Sequence, residues 1–282
     1  MFKVLLGLLA VAVTFTVHAQ DTGTLKKIRD AKSIALGFRT DSPPFAFTGS
    51  DGQPAGYSVD RCKRVVAGVE RALGTTGLAV KWVPLTAANR FDQVTKGTVD
   101  LECGNTSATL SRMEKFDFSN LIFVDAGGVL VLEETKAGRL ADLAGKAVGV
   151  VAGTTTEQNL KTALKERLID ARVVILKDEA EAMTALQSKS IDGYAADRVK
   201  LVGMVALART DTKYRLVQDD FTFEPYALMM RRDPAFRLAV NRSLSQLYRS
   251  GAVNEIYDRW LARLGKPGPL LVAMYYLYAT PE

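Results

Sequence analysis

The segment Val99-Asp100-Leu101-Glu102-Cys103-Gly104-Asn105-Thr106-Ser107-Ala108-Thr109-Leu110-Ser111-Arg112 places amides, hydroxyls and a guanidinium directly after an alternating apolar and acidic run. Such a set suits a carboxylate: Arg112 can fork onto both oxygens while Ser107 and nearby backbone N–H groups fill the remaining lone pairs. The alternation of Val99, Leu101 and Cys103 with Asp100 and Glu102 predicts a strand that Gly104-Asn105 ends. Ser111-x-x-Glu114 predicts a capping box opening a short helix, with Arg112 in its first turn. An exposed turn with a solvated arginine is the alternative reading.

Ligands of open parallel sheets bind beyond the carboxyl ends of the strands. Other chemistry-bearing residues fall at such ends. A strand over 34–38 delivers Arg39, Asp41 and the run Pro43-Pro44-Phe45-Ala46-Phe47, and one over 78–83 delivers Thr86, Asn89 and Arg90. A strand over 147–151 leads into Gly153-Thr154-Thr155, where Thr154-x-x-Glu157 matches a capping box and free N–H groups suit an anion. A plain helix cap fits that motif as well, and the glycine spacing excludes a Walker loop. A strand over 191–195 leads to Asp197, a counter-charge for an ammonium or else the N-cap of the next helix. Arg39 and Arg90 are free to hold a second anion. Phe45 and Phe47 either wall an aliphatic ligand segment or pack in the core.

The elements that must position these residues repeat. Strand, helix, strand, helix, strand over 34–103 is followed by the same order over 147–195, which predicts an α/β protein of two mainly parallel-sheet lobes. Apolar extended runs at 128–132 and 226–230 read as crossings between them. The first lobe is then 20–126 plus 227–282 and the second 127–226, with a hinge at the paired crossings. Helices are expected over 235–249 and 253–264, and the tail 270–276 is too short to span a bilayer and should pack on the body. Cys62 lies on the apolar face of a helix over 58–73, and Cys103 shares a strand face with Val99 and Leu101. Both point toward one core, so a disulfide is expected, two buried thiols being the alternative.

Lys3, the apolar run 4–17 and Val17-His18-Ala19 read as a secretory signal peptide over 1–19, which makes the mature protein exported and soluble. His18 is the only histidine. A mature chain lacking histidine cannot run a Ser-His-Asp or Cys-His mechanism or build a His-ligated metal site, so no metal or cofactor is expected. The formal charge of +6 favours anionic ligands, but basic and acidic residues are interspersed, which argues against nucleic acid.

Arg39 with Pro43-Pro44-Phe45, Gly56-Tyr57-Ser58-Val59-Asp60, the 102–112 segment followed by Phe116-Asp117-Phe118-Ser119, Ala152-Gly153-Thr154-Thr155 and Asp192-Gly193-Tyr194-Ala195-Ala196-Asp197 resemble the polar amino-acid-binding periplasmic proteins of ABC importers. These are the bacterial solute-binding proteins of family 3, and the glutamate/aspartate-binding branch is the most similar. The resemblance implies the type II two-lobed fold, no catalysis, and a monomer that delivers one amino acid to an inner-membrane permease. It implies Arg112, Ser107 and Thr155 on the α-carboxylate, Asp197 and the Asn105-Thr106 region on the ammonium, and Arg39 and Arg90 on a side-chain carboxylate. Two positions depart from that branch: Ala87 replaces a serine, and Glu179 stands where the second lobe carries a histidine. A carboxylate at Glu179 repels a ligand carboxylate unless it turns away or pairs with Arg39 or Arg90. A binding protein for a neutral polar amino acid, a secreted prephenate or arogenate dehydratase with Glu179 as general acid, and a sensor module are the alternatives.

Overall fold

The computed structural model describes residues 23–208 and 210–282; the expected signal peptide over 1–19 lies outside them. The strands in chain order are β1 (Ser33–Arg39), β2 (Asp41–Ser42), β3 (Ala46–Thr48), β4 (Pro54–Ala55), β5 (Ala79–Leu85), β6 (Leu101–Glu102), β7 (Phe116–Asp125), β8 (Gly127–Leu132), β9 (Ala147–Val151), β10 (Arg172–Leu176), β11 (Gly193–Asp197), β12 (Tyr214–Leu216) and β13 (Glu224–Arg231). They form two five-stranded sheets, β5-β1-β6-β13-β7 and β10-β9-β11-β8-β12, and a small antiparallel sheet β2-β3-β4. In each large sheet three strands run parallel (β5-β1-β6 and β10-β9-β11), and the two beyond them join antiparallel. The fold is α/β with two lobes, as the repeated element order predicts.

The runs read as crossings each belong to one sheet. β8 lies wholly in the second sheet, and β13 in the first, where Glu224 pairs with Asp125. The crossings are the short connections between β7 and β8 and between β12 and β13. β13 therefore begins three residues before the expected boundary at Ala227.

Helices cover the sheets where periodicity predicts them, including Tyr57–Leu73, Arg90–Thr95, Thr155–Glu166, Glu179–Gln187, Arg198–Leu207, Pro234–Arg249 and Val253–Leu261. The tail forms the helix Pro269–Leu277, which buries Leu271, Met274 and Tyr275 on the first lobe. No helix of the described residues is long and apolar enough to cross a membrane. Cys62 and Cys103 form a disulfide with Cα atoms 6.1 Å apart, tying the helix Tyr57–Leu73 to the residue that follows β6.

Around Cys103 the regular strand is shorter than expected and its alternation does not separate core from solvent. Val99, Asp100, Leu101, Glu102 and Cys103 are all buried. A central strand is covered on both faces, so its acidic residues need partners: Asp100 accepts from the Ala35 amide at 2.9 Å and from Lys27 Nζ at 2.7 Å. Glu102 faces the cleft cations instead.

Candidate functional site

The strand ends converge on one cleft. Arg39 closes β1, Arg90 opens the helix that follows β5, and Asn105, Thr106 and Ser107 follow β6. From the second lobe come Thr154 and Thr155 after β9 and Asp197 at the end of β11. All of these, with Arg112, line one narrow cavity. Segment 106–108 is held there by β13: Ser107 bridges to Tyr226, and the Ala108 amide donates to the Pro225 carbonyl at 2.8 Å.

Capping differs in part from expectation. The N-cap of Leu110–Met113 is Thr109, not Ser111, its hydroxyl accepting from the Arg112 amide at 3.3 Å. Thr154 caps Thr155–Glu166 as read, accepting from the Glu157 amide at 3.1 Å. Asp197 stands at the N-cap position of Arg198–Leu207 but makes no capping bond. Its carboxylate accepts from Asn105 Nδ2 at 3.2 Å, Tyr226 Oη at 2.5 Å and Thr156 Oγ1 at 3.0 Å. That geometry places the carboxylate between the lobes.

The three arginines sit in different electrostatic settings. Burial alone depresses Arg39, but Asp41, Glu179 and Glu102 outweigh it and raise its pKa; Nε and Nη2 lie 3.0 and 2.8 Å from Asp41 Oδ1. Arg90 makes no ion pair with a carboxylate among the described residues, although Glu102 and Asp197 pull its pKa up from a distance. It donates to the carbonyls of Ala87 and, across the lobes, of Gly153 at 3.2 Å, and its Nε has no hydrogen-bond partner among the described residues. Burial, Arg39 and Arg112 push its pKa down to about 9. Arg112 donates to the Ser107 carbonyl at 2.8 Å and is lowered by burial despite Glu224, Glu102 and Asp197. The Phe91 ring lies 4.3 Å from the Arg90 guanidinium and 5.1 Å from that of Arg112, a cation–π support for both.

Two expected residues do not reach the cleft wall. Phe45 is fully buried and packs edge-on against Tyr57, Phe123 and Tyr226 at 5.0–6.0 Å, so its role is core packing: the turn before β3 folds it inward. Glu179 is buried and accepts from Lys200 Nζ at 2.9 Å, from Arg39 Nη2 at 3.4 Å and from the Tyr194 hydroxyl. It is neutralised by partners rather than aimed at a ligand.

Sequence reading missed Lys200, Thr156, Glu224 and Tyr226. Lys200 and Thr156 line the cavity. Asp197-x-x-Lys200 puts the ammonium one helical turn from the aspartate, a spacing that could have revealed it. Glu224 accepts from the hydroxyls of Ser107, of Thr155 at 2.7 Å and of Thr222 at 2.8 Å. Glu102 is fully buried; burial raises its pKa against the pull of Arg90, the Thr106 hydroxyl, Arg39 and Arg112.

A cleft at the strand ends of two sheets, joined by two crossings and lined by buried cations, hydroxyls and one shared aspartate, defines a two-lobed ligand-binding protein. The model of the bacterial extracellular solute-binding proteins, family 3, matches residues 34–263, and the chain belongs to that family. It is 35% identical over 244 residues to the L-glutamate/L-aspartate-binding protein of Pseudomonas aeruginosa, covering 86% of this chain and 81% of that one. Among solved structures it is similar to a Streptococcus pneumoniae ABC uptake transporter substrate-binding protein with bound histidine, at TM-score 0.75 and 26% identity over 84% of this chain and 95% of the other. It is also similar to AncCDT-1, an ancestral amino acid-binding protein and precursor of cyclohexadienyl dehydratase, at TM-score 0.72 and 28% identity over 84% and 99%.

Proposed function

We propose that the protein is an exported periplasmic binding protein that captures an acidic amino acid, glutamate or aspartate, between its lobes and delivers it as a monomer to an ABC importer permease. The first lobe runs up to residue 126 and resumes with β13 at Glu224, and the second lobe lies between them. Arg112, Ser107 and Thr155 hold the α-carboxylate, Asp197 with Asn105 and Thr106 the ammonium, and Arg39 and Arg90 the side-chain carboxylate, with Thr154 ordering the loop beneath.

The observation that carries this reading is Arg90. Arg39 pairs with Asp41 and Glu179, and Lys200 with Glu179, whereas Arg90 makes no ion pair among the described residues. Glu102 and Asp197 act on it only from a distance, and burial with Arg39 and Arg112 outweighs them. A second ligand carboxylate supplies the direct partner that Arg90 lacks, and a zwitterion with a neutral side chain does not. The glutamate/aspartate relative in Pseudomonas aeruginosa supports the same choice.

A thermal-shift screen of the twenty amino acids and small dicarboxylates tests the proposal. Saturating glutamate or aspartate, a thousandfold above Kd, should raise the melting temperature by roughly 10 °C. Stabilisation by neutral amino acids alone refutes the acidic assignment. The enzymatic alternative has the AncCDT-1 likeness behind it, but its general-acid candidate, Glu179, is occupied by Lys200, Tyr194 and Arg39 behind the cleft wall. No turnover of prephenate or arogenate is the expected result.

A further inference from the structure

Ser107 and Thr155 belong to opposite lobes, and both donate to the same atom, Oε2 of Glu224. Thr222 donates to the other oxygen, Oε1, at 2.8 Å. Glu224 is the first residue of β13 and is 1% exposed. A hydroxyl has one proton to give, so neither side chain can donate to Glu224 and to a ligand carboxylate at once. When both turn toward a ligand, Oε2 is left buried against two hydroxyl oxygens that no longer donate to it. An ionised carboxylate is strongly disfavoured there. A protonated one is accommodated, because its O–H donates back to one of the hydroxyls.

We propose that Glu224 takes up one proton when the α-carboxylate of the amino acid docks on Ser107 and Thr155, so that ligand capture is coupled to protonation. This rests on the assignment of those two hydroxyls to the α-carboxylate. The balance is simple: one ligand and one solvent proton enter, an O–H bond forms on Glu224 and donates back to one of the two hydroxyl oxygens, and both hydroxyls turn their own protons to the ligand. No bond in the ligand changes.

The groups facing Glu224 set the direction. Burial and Asp197 already raise its pKa, while the hydroxyls of Ser107, Thr155 and Thr222 hold it down. Arg112 faces it and favours the ionised form, as does the N-terminus of Thr155–Glu166. Redirecting two of the three hydroxyls and adding a ligand anion both drive the carboxyl toward protonation. Asp125 pairs in register with Glu224. It is bonded to the amides of Ala126 and Val199 and pushed up to about 8 by burial and Asp197. A ligand ammonium beside Asp197 moves Asp125 the opposite way, toward proton release.

Isothermal titration of the protein with L-glutamate from pH 5.5 to 8.5, in buffers of differing ionisation enthalpy, reads the coupling directly. The wild type should take up a proton on binding, and Asp125→Asn, which cannot release one, should approach a full proton. Affinity should fall by up to about tenfold per pH unit as pH rises through the coupled window. Glu224→Gln, whose amide donates without titrating, should lose the uptake and bind with a flatter pH profile. Heats independent of buffer in both the wild type and Asp125→Asn overturn the coupling, and so does undiminished uptake in Glu224→Gln. If the glutamine variant does not fold, the wild-type and Asp125→Asn series decide alone. Glutamate binding without proton uptake refutes this inference only; absence of glutamate binding at every pH refutes the ligand assignment as well.

Discussion

Arg90 separates a functional arginine from a structural one by the sign of its effect on stability. Most buried charges are paired, and removing one partner costs about 3–5 kcal/mol because the other is stranded. Removing Arg90 breaks no ion pair: its contacts are two carbonyls and an aromatic ring, Glu102 keeps Arg39 and Arg112, and the depressed pKa of Arg90 means that the folded protein disfavours its charge. Strain of this kind persists where function requires it. Arg90→Met should therefore leave the melting temperature of the ligand-free protein unchanged or higher near pH 7. The same change should weaken glutamate binding by roughly 10- to 150-fold, the loss of about 1.5–3 kcal/mol expected for hydrogen bonds to a charged group. Calorimetry of the free variant and titration of the ligand measure the two effects separately. A large drop in melting temperature without loss of affinity assigns Arg90 to structure. Glu179 and Lys200 should behave in the opposite manner, since each neutralises the other inside the second lobe.

At the scale of elements, the periodic segments were legible. The two strand–helix units, the disulfide and the convergence of strand ends follow from hydrophobic spacing and the geometry of parallel sheets, and Arg39, Arg90, Asn105, Ser107, Thr155 and Asp197 meet as that geometry requires. What was illegible depends on pairings distant in sequence. Phe45 looked available because a proline-rich turn gives no sign of which way its aromatic points; the neighbouring Tyr57, Phe123 and Tyr226 decide that. Glu224 precedes an apolar run like many solvated strand ends, and only the register with Asp125 carries it between the lobes. Arg61 lies on the helix that bears Cys62, yet it is fully buried among Tyr57, Tyr248 and Tyr275, which come from three helices. The disulfide fixes that helix against the strand preceding Asn105. Closing a loop with a sequence separation of 41 residues restricts the unfolded chain by about 4 kcal/mol. The double variant Cys62→Ala, Cys103→Ala should lose stability of that order in urea titration, while retaining measurable ligand binding because neither sulfur reaches the cleft.

The whole molecule is closed, and its closure is held by contacts that cross from lobe to lobe. Arg39 with Glu179, Arg90 with the Gly153 carbonyl, Asn105 with Asp197 and Glu224 with Thr155 all span the cleft. The cavity they leave is about 20 Å³, room for about one water, so an amino acid can enter only when the lobes part. One further contact lies outside the site. Gly203, on the helix Arg198–Leu207, approaches Pro43 and Pro44 of the first lobe so closely that an added Cβ would stand 2.6 Å from the Pro43 carbonyl oxygen and 2.6 Å from Pro44 Cδ. A backbone oxygen at that distance cannot yield as a flexible side chain would. Gly203→Ala should therefore penalise the closed arrangement while leaving each lobe's own core untouched. Overpacking of this size costs typically 1–3 kcal/mol, and a penalty borne by the closed state alone lowers apparent affinity by the same factor, about 5- to 150-fold. Small-angle scattering should find a larger radius of gyration for the free variant than for the wild type, converging on it at saturating ligand. Weakened binding with an unchanged radius in the free protein would assign the contact to local packing, and unchanged affinity would show that the helix slides past Pro43 at no cost to closure.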